Sequence, residues 1–379
     1  MFTYFLTEEQ IMLSETVKKF ASREVFPQAA EADVKAEFNR SLYTKISNMG
    51  FMGLVFPIEY DGTDLGWLSA ALVILELAKA CGSTGTTIAA HYLGTDPIFS
   101  FGSNEQKKEF LPALARGEKL AAFALTEPGA GSDVLAIRSN ARKEGDHYVL
   151  NGNKIFITNA GEADVYTVFV KTQSGHSAKG VSAFIVDKDT PGFKFGKKED
   201  KMGMRGSVNR EVIMEDCIVP ADNLLGQEGD GFKIAMAALD TGRIVTASYA
   251  LGVAKAALDA SLDYAKTRSQ FGHPIVEFQA VQFMLADMKV GIDNALLGIY
   301  RAAYKADKGL PFRIEAAHAK LVASDVAMKV TTDAVQIFGG YGYMKEYPVE
   351  RFMRDAKITQ ILEGTNQIQR LIISRDLLA

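Results

Sequence analysis

Apolar residues in the first third of the chain recur at helical spacing. Thr7 can cap a helix with Gln10 three residues on, and Ile11, Met12, Thr16 and Phe20 then share one face. Residues 65–80 are the most apolar stretch but carry Glu76 and Lys79. They predict a buried helix and not a membrane span, which needs about 18–20 apolar residues. Pro27, Pro57 with Gly62, and residues 82–85 punctuate this helical region, and residues 102–106 cap a short helix ending within 112–117.

The period changes after Leu120. Residues 148–150, a turn at Asn151-Gly152 and residues 154–158 predict a β-hairpin, and strands follow at 165–170, 181–186 and 211–214. No helix-length segment separates them, which favours an antiparallel sheet or barrel over a parallel βαβ sheet. Helix returns at Gly231, in long stretches over 231–265, 275–307 and 312–338 and a last one after Thr365, the count and loop lengths of a four-helix bundle. The expected fold is α+β and multidomain: an N-terminal α-helical domain over 1–119, a central antiparallel β domain over 120–230, and a C-terminal four-helix bundle over 231–379.

Charge and composition narrow the chemistry. With 42 Lys plus Arg against 46 Asp plus Glu, net −4, the chain has no basic excess to attract nucleic acid. Two cysteines, Cys81 and Cys217, cannot build a disulfide framework or a four-thiolate metal site, and they suit a reducing compartment. The apolar start Met1 to Leu6 lacks a basic lead and runs into Glu8-Glu9, so neither a secretory nor a transit segment is expected and the expected location is the cytoplasm. Phosphate-loop, complete dinucleotide-fingerprint, H-E-x-x-H and C-x-x-C motifs are missing, and the five histidines are scattered. No metal site is expected.

Two local patterns stand out. Residues 124–133, Ala-Leu-Thr-Glu-Pro-Gly-Ala-Gly-Ser-Asp, form a Gly-bearing turn whose N–H groups can approach a phosphate or flat ring; the same composition suits a domain-crossing loop. In residues 361–370, Glu363 follows an apolar pair and precedes Gly364 and a helix cap at Thr365. A carboxylate between apolar surfaces has its proton affinity raised and suits a general base near neutral pH. A first-turn Glu favoured by the helix dipole is the alternative.

The first pattern resembles the N-side signature of the acyl-CoA dehydrogenase family. Gln336-Ile337-Phe338-Gly339-Gly340-Tyr341-Gly342-Tyr343, continuing through Glu346 and Arg351 to Asp355, resembles its C-side signature. The resemblance runs from Thr7 to the final helix. It implies FAD bound between the β domain and the bundle, and removal of an α-proton and a β-hydride from an acyl-CoA thioester. By the same resemblance Glu363 is the catalytic base, its N–H helping to bind the thioester carbonyl. Leu125, Thr126 and Ser132 form the flavin-facing loop, with Phe156, Ile157 and Thr158 on the strand behind it. Most close relatives have Trp where this chain has Phe156. Arg268, Gln279, Gln336, Gly339 and Gly340 reach the FAD of a neighbouring subunit in a homotetramer. Thr365 and Gln367 lie at its pyrophosphate and adenosine, and Asp240 and Arg243 hold coenzyme A, with Ser132 and Gly364 also at the substrate.

Branches of the family that carry the base on the Asp240–Arg243 helix place it five residues beyond the Arg; here that residue is Ser248, which leaves Glu363. Leu362 replaces the family's usual Tyr. Asp96 and His91, in the segment where relatives line the acyl end of the pocket, are unusual beside a straight saturated chain. The expectation is a dehydrogenase for a short, branched or alicyclic acyl group, with Asp96 or His91 near it and an electron-transferring flavoprotein as acceptor. An enoyl-CoA reductase running the reverse reaction is the alternative, and a non-catalytic acyl-CoA-binding protein on the same fold is the alternative of another class.

Overall fold

The computed structural model describes residues 3–379, so Met1 and Phe2 of the apolar start lie outside the described residues. Six helices come first: α1 (Glu8–Phe20), α2 (Ala29–Lys35), α3 (Arg40–Asn48), α4 (Gly66–Ala80), α5 (Gly82–Phe101) and α6 (Asn104–Ala115). Their starts are local chemistry. The Thr7 hydroxyl accepts from the Gln10 N–H at 3.2 Å while the Gln10 side chain accepts from the Thr7 N–H at 3.1 Å, and Ser103 with Gln106 repeats the arrangement at α6.

Residues 82–85 do not interrupt helix as their glycines suggest. The break falls on Cys81 alone, extended at φ −155°, and α5 starts at Gly82. Gly85 is where α5 presses on α4: a Cβ there would come within 2.5 Å of the Ala78 Cβ.

The sheet follows, from β1 (Ala121–Ala124), β2 (Asn140–Glu144), β3 (His147–Thr158), β4 (Val165–Lys171), β5 (Val181–Asp187), β6 (Phe193–Lys198), β7 (Asn209–Pro220) and β8 (Leu224–Leu225). Its order is β6-β7-β3-β2-β4-β5-β8, with β1 pairing β4 in parallel and β2 touching β4 in parallel at one residue; the other pairs are antiparallel. The expected hairpin at Asn151-Gly152 is corrected here. β3 runs through it unbroken, and the true turn is at Gly145 (φ +62°), between β2 and β3. Gly152 still needs its unusual φ of +133°, but at a register shift against β7, where a Cβ would lie 2.4 Å from the Ser139 hydroxyl. A second shift, between Lys154 and Ile157, sets up Phe156.

The C-terminal region holds α7 (Gly231–Thr267), a two-stranded ribbon of β9 (Ser269–Gln270) and β10 (His273–Pro274), α8 (Gln279–Asp307), α9 (Arg313–Phe338), α10 (Val349–Lys357) and α11 (Asn366–Leu377). The short α10 is additional to the four helices read from the sequence. No helix among the described residues is long and apolar enough to cross a membrane.

Helix α5 ties the regions together, packing on β1 and β4 on one side and on α7 on the other. The Ala121 N–H donates to His91 Nδ1 at 3.2 Å, the Thr167 hydroxyl to the Gly94 carbonyl at 2.8 Å, and the Asn159 amide to the Thr87 carbonyl at 3.1 Å. At Gly94 the helix meets β1 backbone to backbone, since a Cβ would sit 2.7 Å from the Ala122 nitrogen. Gly94→Val is therefore expected to cost about 1–3 kcal/mol or more through overpacking, read as a lower urea midpoint at unchanged m-value.

Candidate active site

The turn that carries Glu363 is a strained one. Glu363 has φ +54° and Gly364 φ +86°, so two successive residues are left-handed, and a side chain pays about 1–2 kcal/mol for that conformation. Contacts on both sides hold it. Gln369 Nε2 donates to the Gly364 carbonyl at 2.8 Å and the Glu363 carbonyl at 3.2 Å, and Lys320 Nζ donates to the Gly364 carbonyl at 2.9 Å. Thr365 caps α11, accepting from the Ile368 N–H at 3.3 Å. Among the described residues nothing accepts from the Glu363 N–H.

The turn aims the carboxyl group at α7. A Cβ on Gly242 would lie 2.9 Å from Glu363 Oε2 and 3.0 Å from Leu93 Cδ1, so only glycine at 242 leaves room for both. Oε2 is sealed from solvent and has no hydrogen-bond partner. Burial pushes the Glu363 carboxyl up to about 7, against the pull of the Arg243 and Lys320 cations. The result is a carboxylate near its midpoint at neutral pH with one oxygen free to take a proton.

Asp240 and Arg243 form a buried ion pair one turn apart on α7, as their spacing suggests, and Arg243 adds its charge to the Glu363 environment. Ser248 is buried, with its hydroxyl donating to the Ile244 carbonyl at 2.8 Å.

The loop after β1 and the end of β3 form a second group. The Ile155 N–H donates to the Thr126 carbonyl at 2.9 Å, joining the two segments. Beneath them a buried lysine, Lys154, donates to the Leu125 carbonyl at 3.1 Å and to Glu127 Oε1 at 2.7 Å, and Glu127 also accepts from the Ser139 N–H at 3.1 Å. Phe156 sits on the bulge at φ +60° with its ring 61% exposed, a large apolar face held outward by the backbone. Asn209 Nδ2 donates to the Phe156 carbonyl at 2.9 Å and to the Thr158 hydroxyl oxygen at 3.0 Å. The Thr158 proton is thereby left for another acceptor. Ile157 is buried, Ser132 is exposed, and Gly129 and Gly131 face open space. This group offers a planar ring one aromatic face, one hydroxyl donor and an unobstructed glycine loop.

A third group lies around a cleft of about 500 Å³ lined by Arg268, Gly339, Gly340 and the Tyr341 ring, over which the Arg268 guanidinium stacks at 5.3 Å. None of the residues of the other two groups lines it. Gln336 is one turn earlier on α9, its carbonyl accepting from the Gly339 N–H; Gln279 opens α8, and Gln367 is exposed at the start of α11.

Asp96 and His91 lie within α5, with structural partners. Asp96 accepts from the Thr241 hydroxyl at 2.9 Å and the Ser100 hydroxyl at 3.0 Å, and burial raises it to about 6. His91 is fully buried, which pushes it down to about 4 and keeps it neutral. Asp96 reaches the Glu363 environment through Thr241, the residue before Gly242. Sequence reasoning missed Leu93, Gly242, Lys320, Gln369 and Asn209. Gly242, between Asp240 and Arg243 in an otherwise good helix-forming run, carried the one usable signal.

Comparison with known proteins gives a consistent result. Three family models match: the N-terminal domain of acyl-CoA dehydrogenase over residues 7–118, its middle domain over 122–217 and its C-terminal domain over 229–378. A short-chain-specific acyl-CoA dehydrogenase of Clostridium acetobutylicum is 49% identical over 97% of this chain and 98% of its own. The butyryl-CoA dehydrogenase structure from Megasphaera elsdenii superposes with a TM-score of 0.97 at 47% identity, covering 99% of both chains. A chain from a structure described as the electron transferring flavoprotein of Acidaminococcus fermentans also reaches 0.97, at 51% identity and 98% of both chains.

The raised Glu363 affinity has a stability consequence. A carboxyl whose folded-state affinity exceeds its unfolded value of 4.5 favours the fold at low pH and opposes it once pH rises through about 7. Glu363→Gln is expected to be more heat-stable than the unsubstituted protein above pH ~7, the gap closing toward pH ~4.5, in melts across that range.

Proposed function

The chain belongs to the acyl-CoA dehydrogenase family, and on that footing we propose that it oxidises a short acyl-CoA thioester to the 2-enoyl-CoA with Glu363 as the base. It is an FAD-dependent oxidoreductase. The observation that carries the assignment of the base is the unpartnered, sealed Oε2 of Glu363, beside an apolar side chain and near its midpoint at neutral pH.

When bound, FAD supplies the acceptor for the β-hydride. The residues present fit such a group. Leu125, Thr126, Ser132, Phe156, Ile157 and Thr158 would hold its ring system, with the exposed Phe156 face and the free Thr158 proton toward it. Thr365 and Gln367 would hold its phosphate and adenosine parts at the N-terminus of α11. Arg268, Gln279, Gln336, Gly339 and Gly340 would reach a neighbour's FAD, which agrees with the open cleft that Arg268, Gly339 and Gly340 line.

Glu363 takes the α-proton on Oε2. Its own N–H, without an acceptor in the chain, is available to the thioester carbonyl as negative charge develops there; one such donor is typically worth about 10²–10³ in rate. Leu93 and the glycine at 242 keep water from Oε2 of the carboxylate, and Arg243, anchored by Asp240, holds coenzyme A with Ser132 and Gly364 alongside.

The acyl group proposed is short, branched or alicyclic, and the short-chain-specific relative supports the first of these. An electron-transferring flavoprotein is the proposed acceptor, supported by the Acidaminococcus fermentans relative. A homotetramer is proposed from α8, whose exposed Phe283, Val290, Leu297 and Tyr304 repeat every seven residues down one face, a stripe that a second helix would cover.

Two measurements test this reading. Glu363→Gln is expected to retain FAD and bind acyl-CoA but to slow flavin bleaching by at least about 10²–10⁴; rapid bleaching would overturn the base. In anaerobic bleaching across linear, branched, alicyclic and dicarboxylic acyl-CoAs, the highest kcat/KM is expected for short neutral chains, and a preference for long or dicarboxylic chains would contradict the substrate class.

A further inference from the structure

Lys320 lies in the first third of α9 on an alanine-rich face and is fully buried. Lysine is almost never fully buried without a counter-charge, because desolvating an ammonium group is costly. Yet no carboxylate among the described residues comes within ion-pair distance of it. Its direct partners are neutral: the Gly364 carbonyl at 2.9 Å and Asn366 Oδ1 at 2.8 Å. Asn366 is itself fixed, donating to the Ser324 hydroxyl oxygen at 2.9 Å and to Asp325 Oδ1 at 2.7 Å. One acceptor of the ammonium lies in the turn that carries Glu363, and the other opens α11 directly after it.

A neutral amide of similar length could make the same two bonds without the cost of a buried charge. What needs explaining is therefore the charge. Arg243, the cation that acts most strongly on Glu363, is shared with Asp240 in direct contact. Lys320 is the second cation acting on Glu363, and among the described residues no carboxylate lies within ion-pair distance of it. We propose that Lys320 is a positioning residue for the base: its ammonium group, bonded to the Gly364 carbonyl, pins the left-handed Glu363–Gly364 turn and brings to it a positive charge that no carboxylate contacts, which favours the ionised form of Glu363.

The proposal rests on Glu363 being the base. The charged and titratable groups around that carboxyl and its two cations are Asp240, Arg243 and Tyr249 on α7 and Arg313, Lys320 and Asp325 on α9. Burial drives Glu363 toward the protonated form, and Arg243 and Lys320 oppose it. Burial in turn lowers Lys320 to about 7, and the Glu363 charge pulls it back up. Each group thus favours the charged form of the other.

The test is the pH dependence of flavin bleaching by butyryl-CoA in the FAD-loaded protein. Lys320→Gln keeps hydrogen-bond donors but removes the charge. The acid limb, where Glu363 must lose its proton, is expected to move up by about one pH unit, an about tenfold slower rate on that limb with recovery at alkaline pH. Asn366→Ala removes part of the anchor but leaves the charge, and should lower the rate at every pH without moving the limb. A limb that stays put in Lys320→Gln, with a uniform loss like that of Asn366→Ala, overturns the proposal. Should the Gln variant not fold, Lys320→Arg carries the test: the charge persists, so the limb is expected to stay, and an upward move contradicts the proposal. Glu363→Gln run alongside separates the two levels. If it still bleaches, the base assignment fails; if it does not and the Lys320→Gln limb is unmoved, only the role of Lys320 fails.

Discussion

The site depends on a carboxyl group with one oxygen, Oε2, sealed from solvent and satisfied by no donor. Leaving a buried polar atom unpaired costs about 1–3 kcal/mol, and the left-handed backbone of Glu363 adds to that. Such a group persists only if its surroundings leave it no other position. Gly242 supplies the space, Leu93 the apolar wall, and Gln369, Lys320 and the Thr365 cap fix the turn from behind. The same arrangement that destabilises the ionised group gives it proton affinity near neutrality, which is what abstraction of a weakly acidic α-proton requires.

Around this carboxyl the three regions of the chain have separate duties, and α5 makes them one body. Leu93 on α5 touches the site, Gly94 lies against β1, and Thr87 receives the Asn159 amide from just beyond β3. A shift of α5 would therefore move the apolar wall of the Glu363 carboxyl and the support of the β3 loop together. The Lys154–Glu127 pair plays the corresponding part inside the β region, locking the loop at Leu125 and Thr126 to the strand that ends in Phe156 and Thr158. Its bonds to the Leu125 carbonyl and the Ser139 N–H, with the Ile155 N–H to Thr126 carbonyl bond, make the pair a staple for these segments.

Much of this was legible in the sequence where the relevant signal is local. Helix caps at Thr7, the switch of period after Leu120, the Asp240–Arg243 spacing and the Glu363-Gly364-Thr365 turn all follow from neighbours a few residues apart. The Asn151-Gly152 pair misled because its signal, a need for positive φ, is shared by hairpin turns and by bulges within a strand; only the pairing with β7 decides. The glycines at 82–85 misled for a similar reason, since they serve close packing on α4 and not a break. Lys320 could not be found at all. A lysine in a helix ordinarily reads as solvent-facing, and its burial arises from a turn that lies more than forty residues away in the chain. Asp96 and His91 carried chemistry-bearing side chains into a segment that does border the site, but their partners are Thr241, Ser100 and the Ala121 N–H.

The central claim is that the Glu363 carboxyl titrates near neutrality because its Oε2 is sealed in beside Leu93 and Gly242. Difference infrared spectroscopy across pH, comparing the unsubstituted protein with Glu363→Gln, reads that group directly. The expected result is a protonated-carboxyl stretch, missing from the Gln variant, that disappears with a midpoint near 7. A carboxyl already ionised down to its ordinary value of 4.5 would contradict the account.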